Sequence, residues 1–245
     1  MYDADPAAVQ AWWSSIAAAM RAEGLAGVPR NLSWPSDLDA HWHDTSLLLS
    51  QTCGYPLVTR LMEVVQVLGA FRYTAPGCSG FLYRSELLVR DGEPGRSIED
   101  FRGRAAAIND LQSHSGCHAL RRLVAPLAQD GRFFSGEVES GSHRGSLALL
   151  RDERADVAAI DCVSLAAFRR HSPELLAGLR VIGSTAMAPG LPLVTSASTP
   201  AAEVRAMRRA LAAASSDPDL ADVREALFID GFEAVPATVW TGNAA

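Results

Sequence analysis

The chain has 245 residues, 48% hydrophobic and 20% charged, with a formal net charge of −6. That is the profile of a globular protein long enough for one or two domains. All 22 basic residues are Arg, they gather into no basic stripe, and the acidic balance excludes a nucleic-acid partner; no apolar run approaches the ~20 residues that span a bilayer.

The start, M-Y-D-A-D-P, is acidic and has no apolar h-region, so no signal peptide is expected in the chain as given. Asp5-Pro6 reads as an N-cap and first helical position and Gly24 as the stop, with Val9, Trp12, Trp13, Ile16 and Met20 on one apolar face. Residues 31–44 read as a linker with a short helix from Ser36. Within it His41-x-His43-Asp44 has metal-ligand residue types, but no further ligand cluster accompanies them, and a solvated loop is expected. Residues 46–50 read as a strand ending in Ser50-Gln51-Thr52, residues 64–71 as the next, and residues 81–90 as a long third. Arg90-Asp91-Gly92-Glu93-Pro94-Gly95 then reads as a hinge or linker.

After a short helix over 97–101, the apolar run 105–108 predicts a buried strand. It feeds N-D-L-Q-S-H-S-G-C-H-A-L, residues 109–120, and then Leu120, Leu123, Val124 and Leu127 at helical spacing. Ser113, His114, Ser115 and Gly116 therefore stand where a helix begins. The first four N–H groups of a helix lack intrahelical partners, Ser caps them, and the macrodipole favours a negative guest. Small residues let an anion approach the backbone, so the stretch is either a candidate oxyanion cradle or a plain N-cap. Ser140-Gly141-Ser142-His143-Arg144-Gly145-Ser146 repeats the pattern before a helix over 147–151, and a strand over 155–160 ends in Asp161. A helix over 168–176, a strand over 179–182, and the crossing Pro189-Gly190-Leu191-Pro192 follow. Thr199-Pro200 caps a long helix carrying Val204, Met207 and Leu211, and a last helix holds Val223, Leu227 and Phe228.

Strands alternating with helices define an α/β class, in which ligands collect beyond the carboxyl ends of strands. The crossings near 91 and 190 divide the chain into one lobe of 1–90 plus 190–245 and an inserted lobe of 91–189. Hinge residues are expected at 90–92 and 189–191. Cys53 and Cys78 lie in successive Gly/Pro-rich loops that could meet as a disulfide, while Cys117 and Cys162 read as buried thiols. His114, Cys117 and His118 could ligate a metal, but a capping His and a surface His are expected. Ser113 or Ser115 with His143 and Asp161 has the residue types of a catalytic triad. No G-x-S-x-G elbow or H-E-x-x-H motif appears, and hydroxyls at a helix start bind anions more readily than they are activated. No catalytic residue, metal or cofactor is expected.

The runs L-L-L-S-Q-T-C-G-Y-P, G-C-S-G-F-L-Y-R-S, A-I-N-D-L-Q-S-H-S-G, S-G-S-H-R-G-S, A-D-V-A-A-I-D-C and P-G-L-P-L-V-T, in that order over residues 47–195, resemble the phosphate/phosphite/phosphonate-binding receptors of ABC transporters. The resemblance implies a type 2 periplasmic-binding fold: two α/β lobes of mixed sheets flanked by helices, with a ligand cleft between them. It implies that Ser113, Ser115 and Gly116, with the neighbouring His114, bind phosphoryl oxygens. His143 falls in the second ligand loop, Asp161 at an acidic cleft position, and Ser50, Gln51 and Thr52 where the opposite lobe lines the cleft. Tyr83 is counted with them. The first strand of such receptors is here reduced to residues 1–3 or absent. The implied partners are a small phosphorus oxyanion and an ABC permease, for a monomer without membrane insertion. The implied location is periplasmic, a cytoplasmic one staying open without a signal peptide. The alternatives are a cytoplasmic small-anion sensor or an enzyme on the same fold. An ionised Asp161 reaching the ligand would favour a P–OH or amine-bearing oxyanion over sulfate.

Overall fold

The structure, a computed structural model, describes residues 5–244; the expected remnant of a first strand at residues 1–3 lies outside them. The chain opens with α1 (Pro6–Ala22), α2 (Leu38–Trp42), β1 (Ser50–Gln51) and α3 (Gly54–Pro56), and continues into β2 (Val65–Tyr73), β3 (Leu82–Tyr83) and β4 (Ser85–Arg90). Next come β5 (Ala105–Ile108), a π-helical turn (His114–His118) running into α4 (Ala119–Val124), β6 (Gly136–Glu139), α5 (His143–Arg151), β7 (Val157–Asp161) and α6 (Cys162–His171). The last part holds β8 (Leu179–Ser184), β9 (Ala188–Pro189), β10 (Pro192–Ser196), α7 (Ala201–Ser216), α8 (Ala221–Ala226) and β11 (Ile229–Glu233).

The chain divides into two compact units. The first comprises residues up to Thr74, Ser79–Leu82 and the chain from Pro189 on; the second comprises Ala75–Cys78 and Tyr83–Ala188. The first boundary therefore lies ahead of the expected position near 91. The reason is β4, which pairs with β7 on one side and β8 on the other, at the heart of the second unit's sheet. Arg90 is no hinge residue: its guanidinium bonds Glu93, Asp156 and the carbonyls of Leu150 and Ala155, all within the second unit. The expected strand over 81–90 is likewise broken at Arg84 into β3 and β4.

The first unit is built on an antiparallel sheet in the order β1-β10-β2-β11. α1 starts where Asp5 Oδ1 accepts the N–H of Ala8, and its buried face carries Val9, Trp12, Trp13, Ile16 and Met20. Trp12 meets Phe71 of β2 edge-on at 5.7 Å, a geometry that adds to the burial of both rings. A second cluster joins Trp42, Leu57, Leu61, Val67 and Val194 to Trp240, whose indole N–H donates to Gly190 O at 2.7 Å.

The second unit's five-stranded sheet runs β6-β5-β7-β4-β8, with β6, β5 and β7 parallel and β4 antiparallel to β7 and β8. Side chains alternate across a strand, so Leu87, Val89, Ala106, Val157 and Ala159 fill one face while Leu88, Ala107, Ala158 and Ile160 fill the other. Burial on both faces explains why these strands read as continuous apolar runs rather than alternating ones. The carboxyl ends of the three parallel strands lie side by side, and each feeds a helix start.

Candidate anion-binding site

Each of the three helix starts is capped by a side chain at or beyond the end of its strand. Ser113 Oγ, after β5, accepts the N–H of Gly116 at 3.0 Å. Ser142 Oγ, after β6, accepts the N–H of Gly145 at 3.0 Å. Asp161, the last residue of β7, accepts the N–H groups of Val163 and Ser164 on Oδ1 at 3.0 and 2.9 Å. Parallel pairing of β5 with β6 and β7 sets these starts next to each other. Further bonds lock them: Gly141 N–H to Asn109 O at 2.7 Å, Ser140 N–H to Ile108 O at 2.9 Å, and Ser146 O–H to Asn109 Oδ1 at 3.2 Å. Ser85 of β4, which sits opposite Asp161, donates its hydroxyl to Ser115 O at 2.9 Å.

His143 joins the three. Its Nε2 is 3.1 Å from Ser115 Oγ and 3.0 Å from Asp161 Oδ2. Burial alone would push the Asp161 carboxyl up. The bond and charge of His143 and the N–H of Ser164 outweigh it and hold the group below the usual carboxylate range. An ionised carboxylate only accepts, so the proton on this side of the ring sits on Nε2. Ser115 Oγ, facing the same N–H, is then an acceptor there, and its own O–H proton is left to donate elsewhere. Ser113 is in the same condition: its oxygen accepts from Gly116, leaving its O–H as a donor. Two hydroxyls whose acceptor sides are filled by protein N–H groups make a donor pair suited to an oxyanion. Nδ1 of His143 is buried and has no hydrogen-bond partner among the described residues.

Of the expected site residues, Ser113, Ser115, Gly116, His143 and Asp161 thus come together. Three have roles different from those expected. Gly116 gives its N–H to Ser113, and a Cβ on it would stand 2.4 Å from Asn109 Cγ, so its small size serves the Asn109 side chain. Asp161 is 2% exposed, with Oδ1 on the α6 backbone and Oδ2 on His143; it orients His143 rather than facing a ligand's own proton. His114 turns inward, 2% exposed, with its ring 6.4 Å from that of Tyr83, itself buried, and burial pushes its pKa down to about 4. His118 Nε2 bonds Leu111 O at 2.9 Å, so the two imidazoles do not share a metal position. Ser50, Gln51 and Thr52 belong to the first unit, where Ser50 and Gln51 form the edge strand β1 and Thr52 N–H bonds Pro192 O. Both amide atoms of Gln51 are buried without a partner among the described residues. Sequence reasoning placed Asn109, Ser140 and Ser146 inside the two cradle stretches without giving them a role, and gave Ser85 none either. Asn109 carried a signal, as a polar residue directly after a buried strand; Ser85 carried none.

The structure sets Cys78 against Cys162, with the two sulfurs 3.3 Å apart, and not in the pairing with Cys53 expected from the two loops.

An α/β chain in two discontinuous units, with a polar site at the carboxyl ends of parallel strands, defines a binding protein of the type 2 periplasmic fold. Solved structures share that fold. A binding-protein component of an ABC phosphonate transporter from Pseudomonas aeruginosa aligns with a TM-score of 0.75 at 16% identity, covering 95% of this chain and 78% of the other. A Xanthomonas citri protein bound to ATP aligns at 0.70 and 18% identity, covering 94% and 90%. PhnD1 from Prochlorococcus marinus, in complex with methylphosphonate, aligns at 0.67 and 12% identity, covering 83% and 78%. Among curated protein sequences none matches. The family model described as the periplasmic substrate-binding protein of phosphonate ABC transporters matches residues 5–240, and the chain belongs to that family. Its role is that of a solute-binding protein serving an ABC transporter.

Proposed function

We propose that this chain captures a small phosphorus oxyanion (phosphate, phosphite or a phosphonate) at the strand ends of its second unit and hands it, unchanged, to an ABC permease in the periplasm. The observation that carries the reading is the placement of His143 Nε2 between Ser115 Oγ and Asp161 Oδ2, which leaves the hydroxyls of Ser113 and Ser115 as donors. Phosphoryl oxygens accept from such hydroxyls, and His143 lies beside them to meet the remaining charge. Family membership supports the ligand class and the compartment.

The same geometry speaks against an enzyme. A serine relay needs its acid on Nδ1 and its nucleophile on Nε2. Here both neighbours share Nε2, which carries one proton and cannot accept from Ser115 while donating to Asp161.

Thermal unfolding of the full chain with phosphate, phosphite, methylphosphonate, sulfate and chloride tests this. A ligand at a hundred times its Kd stabilises by about 2.7 kcal/mol, a rise of roughly 5–11 °C for a chain of this size. At least one phosphorus oxyanion is expected to give that rise and to be recovered intact by phosphorus NMR. No rise with any of them, or conversion of the bound ligand, contradicts the reading.

A further inference from the structure

Apart from the anion site, two thiols of the second unit stand in contact: Cys78 Sγ lies 3.3 Å from Cys162 Sγ. The approach is built into the chain. Ala75–Cys78 belongs to the second unit, although Thr74 before it and Ser79–Leu82 after it belong to the first. Cys78 N–H closes the turn on Ala75 O at 2.9 Å. Gly77 has φ +101°, and a Cβ there would lie 2.9 Å from Cys162 Cβ, so only glycine both adopts this backbone and lets the turn settle on the start of α6. Cys162 is fixed in turn, its N–H donating to Arg84 O at 2.9 Å. Cys162 is buried, whereas Cys78 is half-buried and can be reached from outside.

We propose that Cys78 and Cys162 are a disulfide-forming pair, oxidised by exchange with an external disulfide such as a protein dithiol oxidant or oxidised glutathione. The Cys78 thiolate attacks one sulfur of the oxidant, whose S–S bond breaks and releases a first thiol. The Cys162 thiolate then attacks Cys78 Sγ, forming the Cys78–Cys162 bond and releasing the second. The oxidant gains two electrons and the two thiol protons, and the protein loses both. Bond formation requires the sulfurs to close from 3.3 Å by roughly 1.3 Å. The bond to Cys162, with burial, pushes the Cys78 thiol up, so the first attack quickens as pH rises. Cys162 then needs no search for its target, because the mixed disulfide forms on the sulfur it already touches. The family's compartment is one where such bonds form and persist, and a cross-link closing a loop of roughly 80 residues restricts the unfolded chain strongly.

The test is to treat the reduced full chain with oxidised glutathione at about pH 8, count free thiols after denaturation, and map the linked peptides. Two thiols are expected to disappear from the count, with Cys78 and Cys162 in one linked peptide. Tm should rise by roughly 4–16 °C and fall back with dithiothreitol. Cys162→Ala should show no rise and keep a glutathione adduct on Cys78. Four thiols after prolonged oxidation, or a bond joining any other pair, overturns the proposal. The wild-type thiol count decides it even if the variant fails to fold.

Discussion

A histidine in the core and a histidine at the site behave oppositely in this chain. His143 is held at its Nε2 by an ionised Asp161 and a serine hydroxyl, so its ring orientation is set before any ligand arrives. His114, next to the cradle's second serine in the sequence, is packed against Tyr83 and kept neutral by burial, its pKa down at about 4. Because that value lies below the ordinary 6.5, the unfolded chain takes up this proton first as pH falls. Stability is therefore full above pH 6.5 and is lost on descending toward pH 4. Between about pH 7 and 5 the loss is about 2 kcal/mol, or roughly 4–8 °C in Tm. Replacing His114 by Phe, which keeps a ring beside Tyr83, should flatten that part of the Tm–pH curve; an unchanged slope would mean that His114 does not titrate in this window. The residue types of the site were legible because Ser, His and Asp fell at strand ends before helix starts. Their division of labour was not. Whether Asp161 faces a ligand or a neighbouring imidazole depends on side-chain direction across β7 and α5, which one-dimensional spacing does not carry.

At the scale of elements, the site rests on how closely the start of the helix after β5 approaches the end of β5 itself. Gly116 allows this: a Cβ there would meet Asn109 Cγ, Nδ2 and Oδ1 at 2.4 to 2.6 Å, and Asn109 in turn holds Ser146 and Gly141 of the next helix start. Gly116→Ala should cost about 1–3 kcal/mol through overpacking, lowering Tm by roughly 2–12 °C. The effect should shrink in an Asn109→Ala background, where the obstructing carboxamide is gone. An equal effect in both backgrounds would place the strain elsewhere. β5 itself was readable to the residue from A-A-A-I, since a short apolar run between polar stretches buries both faces. The run at 46–50 was not: of it only Ser50 enters a strand, because β1 is a two-residue edge with β10 as its single neighbour. β11 went unread because Asp230 and Gly231 interrupt its apolar pattern; its register shift against β2 falls there.

For the molecule as a whole, the alternation of strands and helices and the discontinuous division of the chain were legible, but the first boundary was placed too late. Gly92, Pro94 and Gly95 carry the sequence marks of a hinge, yet they follow a strand bound on both sides within the second unit. The true passage, at 74–83, contains Pro76, Gly77 and Gly80, which in sequence alone are the marks of any Gly/Pro-rich loop. Turn chemistry marks where a chain can bend; strand partners decide which bends separate units. The central claim is that a phosphorus oxyanion is held by the Ser113 and Ser115 hydroxyls beside His143. The most direct measurement is calorimetry of methylphosphonate with the wild type, Ser115→Ala and His143→Ala. One site is expected in the wild type. Loss of a hydrogen bond to a charged group, about 1.5–3 kcal/mol, should weaken binding by roughly 10- to 150-fold in each variant. Wild-type affinity in both variants, or no binding of any phosphorus oxyanion to the wild type, would contradict the account.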